Sequence, residues 1–232
     1  ISMRNYPEWI LTFMAVTSIG GVAVAMNSLW KPEEMSYGLT DSGAKLLIAD
    51  EERIDRFNQI EEKLDVAIIS VRAIKEYAYD SLEALLEQAT DTGMPEQRPL
   101  PESNATILYT SGSTGHPKGV VSCHVNIIHA LLGWELEQHC AITLLDEPPP
   151  EPPDSPATLL AVPLFHATGS HAVYLASYRH QRRIVSMYKW DVTEAAEIIE
   201  SEKITSFIAP AAMTGDLVLE AKKTNRDLSS LL

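Results

Sequence analysis

The eleven residues Tyr109-Thr-Ser-Gly-Ser-Thr-Gly-His-Pro-Lys-Gly119 concentrate groups that can grip an anion. Gly112, Gly115 and Gly119 allow backbone geometries closed to other residues and let amides approach a ligand closely. Thr110, Ser111, Ser113 and Thr114 add hydroxyl donors, and Lys118 adds a mobile positive charge that can reach a polyphosphate. Each feature suits a phosphate cradle. The order Gly112-x-x-Gly115-x-x-Lys118-Gly119 is not the NTPase P-loop, which needs Gly, four residues, then Gly-Lys-Ser/Thr, and Pro117 sits where that motif would open its helix. The kinase pattern G-x-G-x-x-G also fails. The plain alternative is a flexible Ser/Gly hairpin, but few such hairpins end in Pro-Lys-Gly after a buried strand.

The other reactive side chains form no comparable group. Cys123 and Cys140 have no partner at metal-type spacing, and two thiols in 232 residues are no disulfide framework, so a reducing cytoplasm is expected. His124 and His129, like His166 and His171, are five apart and do not stack on one helix face, so no metal site is expected. The net charge of −14 argues against nucleic acid and anionic lipid as partners. It does not prevent a local anion site built from backbone amides. The uncharged run Ile10–Leu29 has the length of a membrane span, yet Pro7-Glu8 opens it as a helix and Gly20-Gly21 stops it, so helix, turn and buried strand are expected there and no transmembrane segment.

The loop needs a frame, and the sequence alternates strand and helix patterns throughout. Strands are expected at Val22–Met26, Lys45–Ala49, Val66–Val71 and Ala105–Tyr109, with helices at Pro32–Ser42, Glu52–Lys63, from Ser81 to Gln88, and at Val125–Glu137. The proline- and acid-rich segment 145–156 reads as an extended linker. Beyond it come strand Ala157–Val162, a helical stretch Gly169–Tyr178, strand Arg183–Met187, a helix Val192–Glu202 capped by Asp191, strand Ser206–Ala209, and a helix to about Lys223. The expected fold is therefore α/β, with two doubly wound β/α subdomains over 1–144 and 157–232. The start "ISMRN" reads as a strand in progress, with Ile1 and Met3 on one face, and both chain ends are expected to be cuts within a larger protein. In such sheets ligands sit beyond the carboxyl ends of strands, where the glycine-rich loop lies.

The string Tyr109–Gly119 resembles the phosphate-binding signature of the AMP-forming acyl-CoA synthetases, the adenylate-forming family that includes peptide-synthetase adenylation domains and beetle luciferases. "VPLFHATG" (Val162–Gly169) is similar to that family's second core motif. "MRNYPEWILTFMAVTSIGGVAVAMN", "LTDSGAKLLIAD" and "MYKWDVTEAAEIIESEKITSF" resemble further family segments, so the likeness covers essentially the whole chain and is nearest to fatty acyl-CoA ligases. It implies a two-step reaction, in which a carboxylate attacks the α-phosphate of Mg-ATP to give acyl-AMP and pyrophosphate, and the thiol of coenzyme A then displaces AMP. It further implies that Thr110, Ser111, Gly112, Ser113, Thr114, Gly115 and Lys118 hold the β- and γ-phosphates. His166 would stand at the mouth of the acyl pocket, lined by Phe165, Ala167, Gly169, Ala209 and Pro210. The implied partners are ATP, Mg2+, a carboxylic acid and coenzyme A, with a homodimer left open.

The chain departs from the pattern at Ala211, where the family usually has Thr. It also lacks three later family motifs: the stretch with a magnesium-binding glutamate, the ribose-binding aspartate and the C-terminal-domain lysine. The chain alone is accordingly expected to lack ligase activity. Two other readings stand beside this one. An aryl- or amino-acid adenylation domain usually carries an aspartate near the second motif, and His166–Tyr174 has none. The other is a non-catalytic nucleotide-binding module.

Overall fold

A computed structural model describes residues 1–91, 93–110, 115–147, 153 and 155–231. They divide into two compact units, Ile1–His124 and Val125–Leu232. In the first unit the chain runs α1 (Pro7–Ser18), β1 (Ala23–Ala25), α2 (Pro32–Ser42), β2 (Leu46–Asp50), α3 (Glu51–Phe57), β3 (Ala67–Val71), β4 (Asp80–Ser81), α4 (Leu82–Gln88), β5 (Asn104–Thr110) and β6 (Lys118–Cys123). The order β2-β3-β4 is parallel throughout, and β1 lies parallel to β5. Residues 1–3 stitch these ladders together. The Ser2 amide donates to the Ile48 carbonyl at 2.9 Å, while the Ile1 carbonyl accepts from the Met26 amide at 3.0 Å. The strand expected in "ISMRN" is thus a single bridge, Ser2 to Ala49, with Ile1 and Met3 both buried.

Local chemistry explains the helix that matters most to the site. Pro32 starts α2, the Glu34 carboxylate accepts from the Lys31 amide at 2.9 Å, and Gly43 closes it at φ 63°. Its inner face packs Met35 and Leu39 with Met26, Trp30, Leu47, Ile54 and Tyr109. Gly38 is held by space: a Cβ there would come within 2.4 Å of the Trp30 ring. Below the core, buried Arg53 bonds both Asp50 oxygens at 3.1 and 3.2 Å and donates through Nε to the Ser28 carbonyl at 2.8 Å. Asp50 also caps α3, accepting from the Arg53 amide at 3.2 Å. Burial raises the Asp50 pKa against the opposing pull of Arg53.

The second unit contains α5 (His124–Thr143, its first residue shared with the unit before), β7 (Ala157–Leu160), a π-helix over Thr168–Leu175 and α6 (Ala176–Arg179). β8 (Arg183–Ser186), α7 (Val192–Glu202), β9 (Ser206–Phe207) and α8 (Ala211–Thr224) follow. The strands are parallel in the order β8-β7-β9. Leu159, Met187, Ala195, Ile199, Ile204 and Leu217 form its core. Asp191 caps α7, accepting from the Glu194 amide at 3.0 Å, as its position before the apolar stripe predicts.

Several elements differ from the sequence reading, among them β4, which was not expected. β6 was not expected; it runs antiparallel to β5 and makes this sheet mixed rather than purely parallel. Helix α3 ends at Phe57 instead of Lys63, though Ile60 and Leu64 still pack on the core from the turns that follow. Helix α5 continues past Glu137 to Thr143. The compact units divide ahead of α5, and Glu135 of α5 is ion-paired with Arg179 of α6. Much of segment 145–156 lies outside the described residues.

Candidate functional site

The glycine-rich stretch connects β5 to β6, which run antiparallel. The register pairs Tyr109 with Gly119 and Thr110 with Lys118, and the Thr110 hydroxyl lies 3.5 Å from the Lys118 carbonyl. The strand that follows it is β6, so the stretch does not lead directly into a helix. Of the expected phosphate ligands, Ser111, Gly112, Ser113 and Thr114 lie outside the described residues, while Thr110, Gly115 and Lys118 are exposed. Gly115 has φ 107° with open space where a Cβ would stand, so backbone conformation alone calls for glycine. Gly119 differs: a Cβ would sit 3.0 Å from Ile107 and 3.3 Å from the Tyr109 ring.

Both limbs of the hairpin reach α2. On the first limb, the Tyr109 hydroxyl donates to Asp41 Oδ2 at 2.7 Å, and its ring meets Trp30 edge-on at 5.2 Å. Burial, reinforced by the bond to Asp41, pushes the phenol pKa well up and keeps it a proton donor. On the second limb, the His116 ring stacks on Tyr37, centroids 4.8 Å apart and planes at 22°. Neither Tyr37 nor Asp41 stood out in the sequence. Their spacing of four residues on a helix was the available signal, but it named no partner.

In the second unit, the turn after β7 carries the other expected residues. Phe165 is buried and its ring lies 4.5 Å from that of His166. His166 and Ala167 are exposed, and partial burial of the imidazole lowers its pKa, which leaves it neutral at pH 7. The His166 amide donates to the Pro163 carbonyl at 3.1 Å, and its own carbonyl accepts from the Ser170 amide at 2.9 Å and hydroxyl at 3.0 Å. Gly169 is buried so tightly that a Cβ would lie 2.1 Å from the Pro163 oxygen. Ala209 is half-buried, and exposed Pro210 caps α8.

The sequence reading missed two features here. One is the buried pair Ser170–His171, with Oγ 2.8 Å from Nδ1; burial lowers the His171 pKa. The other is the π-helix itself, a geometry common at functional sites. A cleft of about 850 Å³ also opens in this unit, with Leu131 and Trp134 of α5, Ala172 and Ala176, and Arg179 and Arg182 in its walls. Pro156, Arg182 and Thr205 place it at the amino edge of the sheet, whereas the expected pocket residues follow carboxyl ends, and none of them lines it. Among the described residues, no three His, Cys, Asp or Glu side chains gather into a metal site, and no helix is long and apolar enough to cross a membrane.

Residues 1–232 match the family described as AMP-binding enzyme over their full span. The chain belongs to the AMP-binding enzyme family. Within that family it is 30% identical over 232 residues to 2-succinylbenzoate–CoA ligase of Bacillus velezensis, covering 100% of this chain and 42% of the relative. Among solved structures, the anthranilate–CoA ligase AuaEII in complex with anthranoyl-AMP superposes with a TM-score of 0.81 at 22% identity, over 99% of this chain and 43% of that one. A Mycobacterium tuberculosis fatty acyl CoA synthetase superposes with a TM-score of 0.75 at 23% identity, over 99% of this chain and 42% of that one. The chain therefore spans less than half the length of these AMP-binding relatives, and its α/β fold is that of their matching portion.

Proposed function

We propose that the chain is the triphosphate-binding part of an AMP-forming acid–CoA ligase. The observation that carries this is the hairpin tip: a signature rich in glycine and hydroxyl groups, framed by two strands, with Gly115 in a conformation reserved for glycine and Lys118 exposed at its exit. In the proposed first step, a carboxylate oxygen bonds to the α-phosphorus of ATP and the bond to pyrophosphate breaks. Thr110, the loop amides and hydroxyls, and the Lys118 ammonium neutralise charge gathering on that leaving group. The neutral His166 imidazole stands beside the acid, with Phe165, Ala167, Gly169, Ala209 and Pro210 as the pocket wall. In the second step a thiolate of coenzyme A displaces AMP. Magnesium, which the family likeness implies, would bridge to the chain through the triphosphate.

For the acid, an uncharged fatty tail fits the absence of acidic groups in His166–Tyr174. An aryl acid is the second reading, favoured by relatives whose names carry 2-succinylbenzoate and anthranilate. The two free cysteines, Cys123 and Cys140, fit a reducing compartment such as the cytoplasm. The intact mass of the protein in its source cells comes first among the tests. A mass far above 25.6 kDa supports the ligase reading, and a mass at that value reduces it to nucleotide binding. ATP–pyrophosphate exchange with matched fatty and aryl acids then distinguishes the substrates. The 232-residue chain alone is expected to show no turnover, and exchange by that chain would overturn the expectation.

A further inference from the structure

Tyr37 and Asp41 are four residues apart on α2, so their side chains leave the same face of the helix. That face meets the glycine-rich hairpin at two points on opposite limbs. Asp41 accepts the Tyr109 hydroxyl at 2.7 Å on the limb that enters the tip. Tyr37 supports the His116 ring at 4.8 Å on the limb that leaves it. Two residues beyond His116 stands Lys118, which is exposed and paired in register with Thr110.

The helix is itself held firmly enough to serve as a reference. Its proline start, Glu34 cap and Gly43 stop fix its ends, and Gly38, between the two contact residues, is packed against Trp30 with no room for a methyl group. Trp30 in turn touches the Tyr109 ring. One surface therefore contacts the chain on both sides of the glycine-rich stretch, and glycine raises the entropy lost when backbone is fixed. Ordering before ligand arrives lowers the entropy that binding must supply, and this appears as affinity.

We propose that Tyr37 and Asp41 are positioning residues for nucleotide binding, holding the two limbs of the hairpin so that Lys118 is presented to the triphosphate. The proposal rests on the ATP reading above. Neither residue touches the nucleotide; Tyr37 acts through His116 and Asp41 through Tyr109. The stack should tolerate any flat ring at position 116 and fail when either ring is lost.

The test is calorimetric titration of the chain with ATP and, in parallel, with AMP. Tyr37→Ala and His116→Ala are each expected to weaken ATP binding about tenfold, the scale of an aromatic pair read as an equilibrium shift, and to leave AMP binding within about twofold. Tyr37→Phe and His116→Phe keep two rings in contact and are expected to bind ATP as the unsubstituted chain does. A general loss of folding would weaken both nucleotides together, and the phenylalanine variants guard against that outcome. If the unsubstituted chain binds ATP and both alanine variants match it, the positioning role is overturned while the ATP reading stands. If the unsubstituted chain binds no triphosphate, the functional reading fails and takes this proposal with it.

Discussion

The two expected halves of the site are built in opposite ways. On either side of the glycine-rich stretch, the described residues Tyr109 and His116 contact α2. The turn and π-helix after β7 are fixed along their length, with Gly169 buried against the Pro163 carbonyl and Ser170 bonded back to His166. The glycines show the contrast best. Gly115 is required for its backbone angle in open space, whereas Gly169 sits at an ordinary backbone angle and is required for its missing side chain.

Substitution at Gly169 should separate the two halves most sharply. Gly169→Ala forces backbone atoms apart and is expected to cost about 3 kcal/mol of stability, read by urea unfolding. In Gly115→Ala the strain of a positive φ should cost about 1–2 kcal/mol at most, with ATP affinity falling further than stability does. An equal loss at both glycines would erase the contrast. Next in size, Tyr109→Phe removes the hydroxyl that reaches Asp41 and the Gly38 carbonyl and should cost about 1 kcal/mol, measured the same way.

The smallest effect is a pH dependence confined to the second half. Burial lowers the pKa of His166 and of His171, so the unfolded chain binds protons more readily than the folded one. Their effect is absent well above the ordinary histidine value of about 6.5, and stability falls as the pH drops through it. Replacing His171 with Asn should flatten that slope in a series of urea midpoints. A slope that does not change would assign the dependence elsewhere.

Much of this was legible in local chemistry. Asp191, Ser81 and Gly43 mark helix ends by caps whose hydrogen bonds or backbone angles are all present. The glycine- and hydroxyl-rich signature that carries the family likeness was readable from residue types, which context hardly alters. Strand β6 was not legible. Its two valines, Val120 and Val121, are adjacent and equally exposed, so it shows none of the alternation that marks a half-buried strand, and its pairing with β5 is what makes it one. The π-helix has no propensity signal of its own. The role of α2 depends on which residues the fold brings beside Tyr37 and Asp41, and a helix pattern does not carry that information.

The pairing of β1 with β5 has a consequence for how the chain assembles. Strands β2, β3 and β4 follow one another along the chain, so their ladder closes across helix α3 with the turns that follow it and the segment 72–79 alone. Ala23, by contrast, aligns with Thr106, and the hairpin's frame must wait for a contact between segments far apart in the chain. Such closures are slow because their entropy is spent before any contact rewards it. On a ribosome, β1 would be left waiting until the segment around Thr106 emerged, so the phosphate hairpin belongs to the late-forming part of its unit.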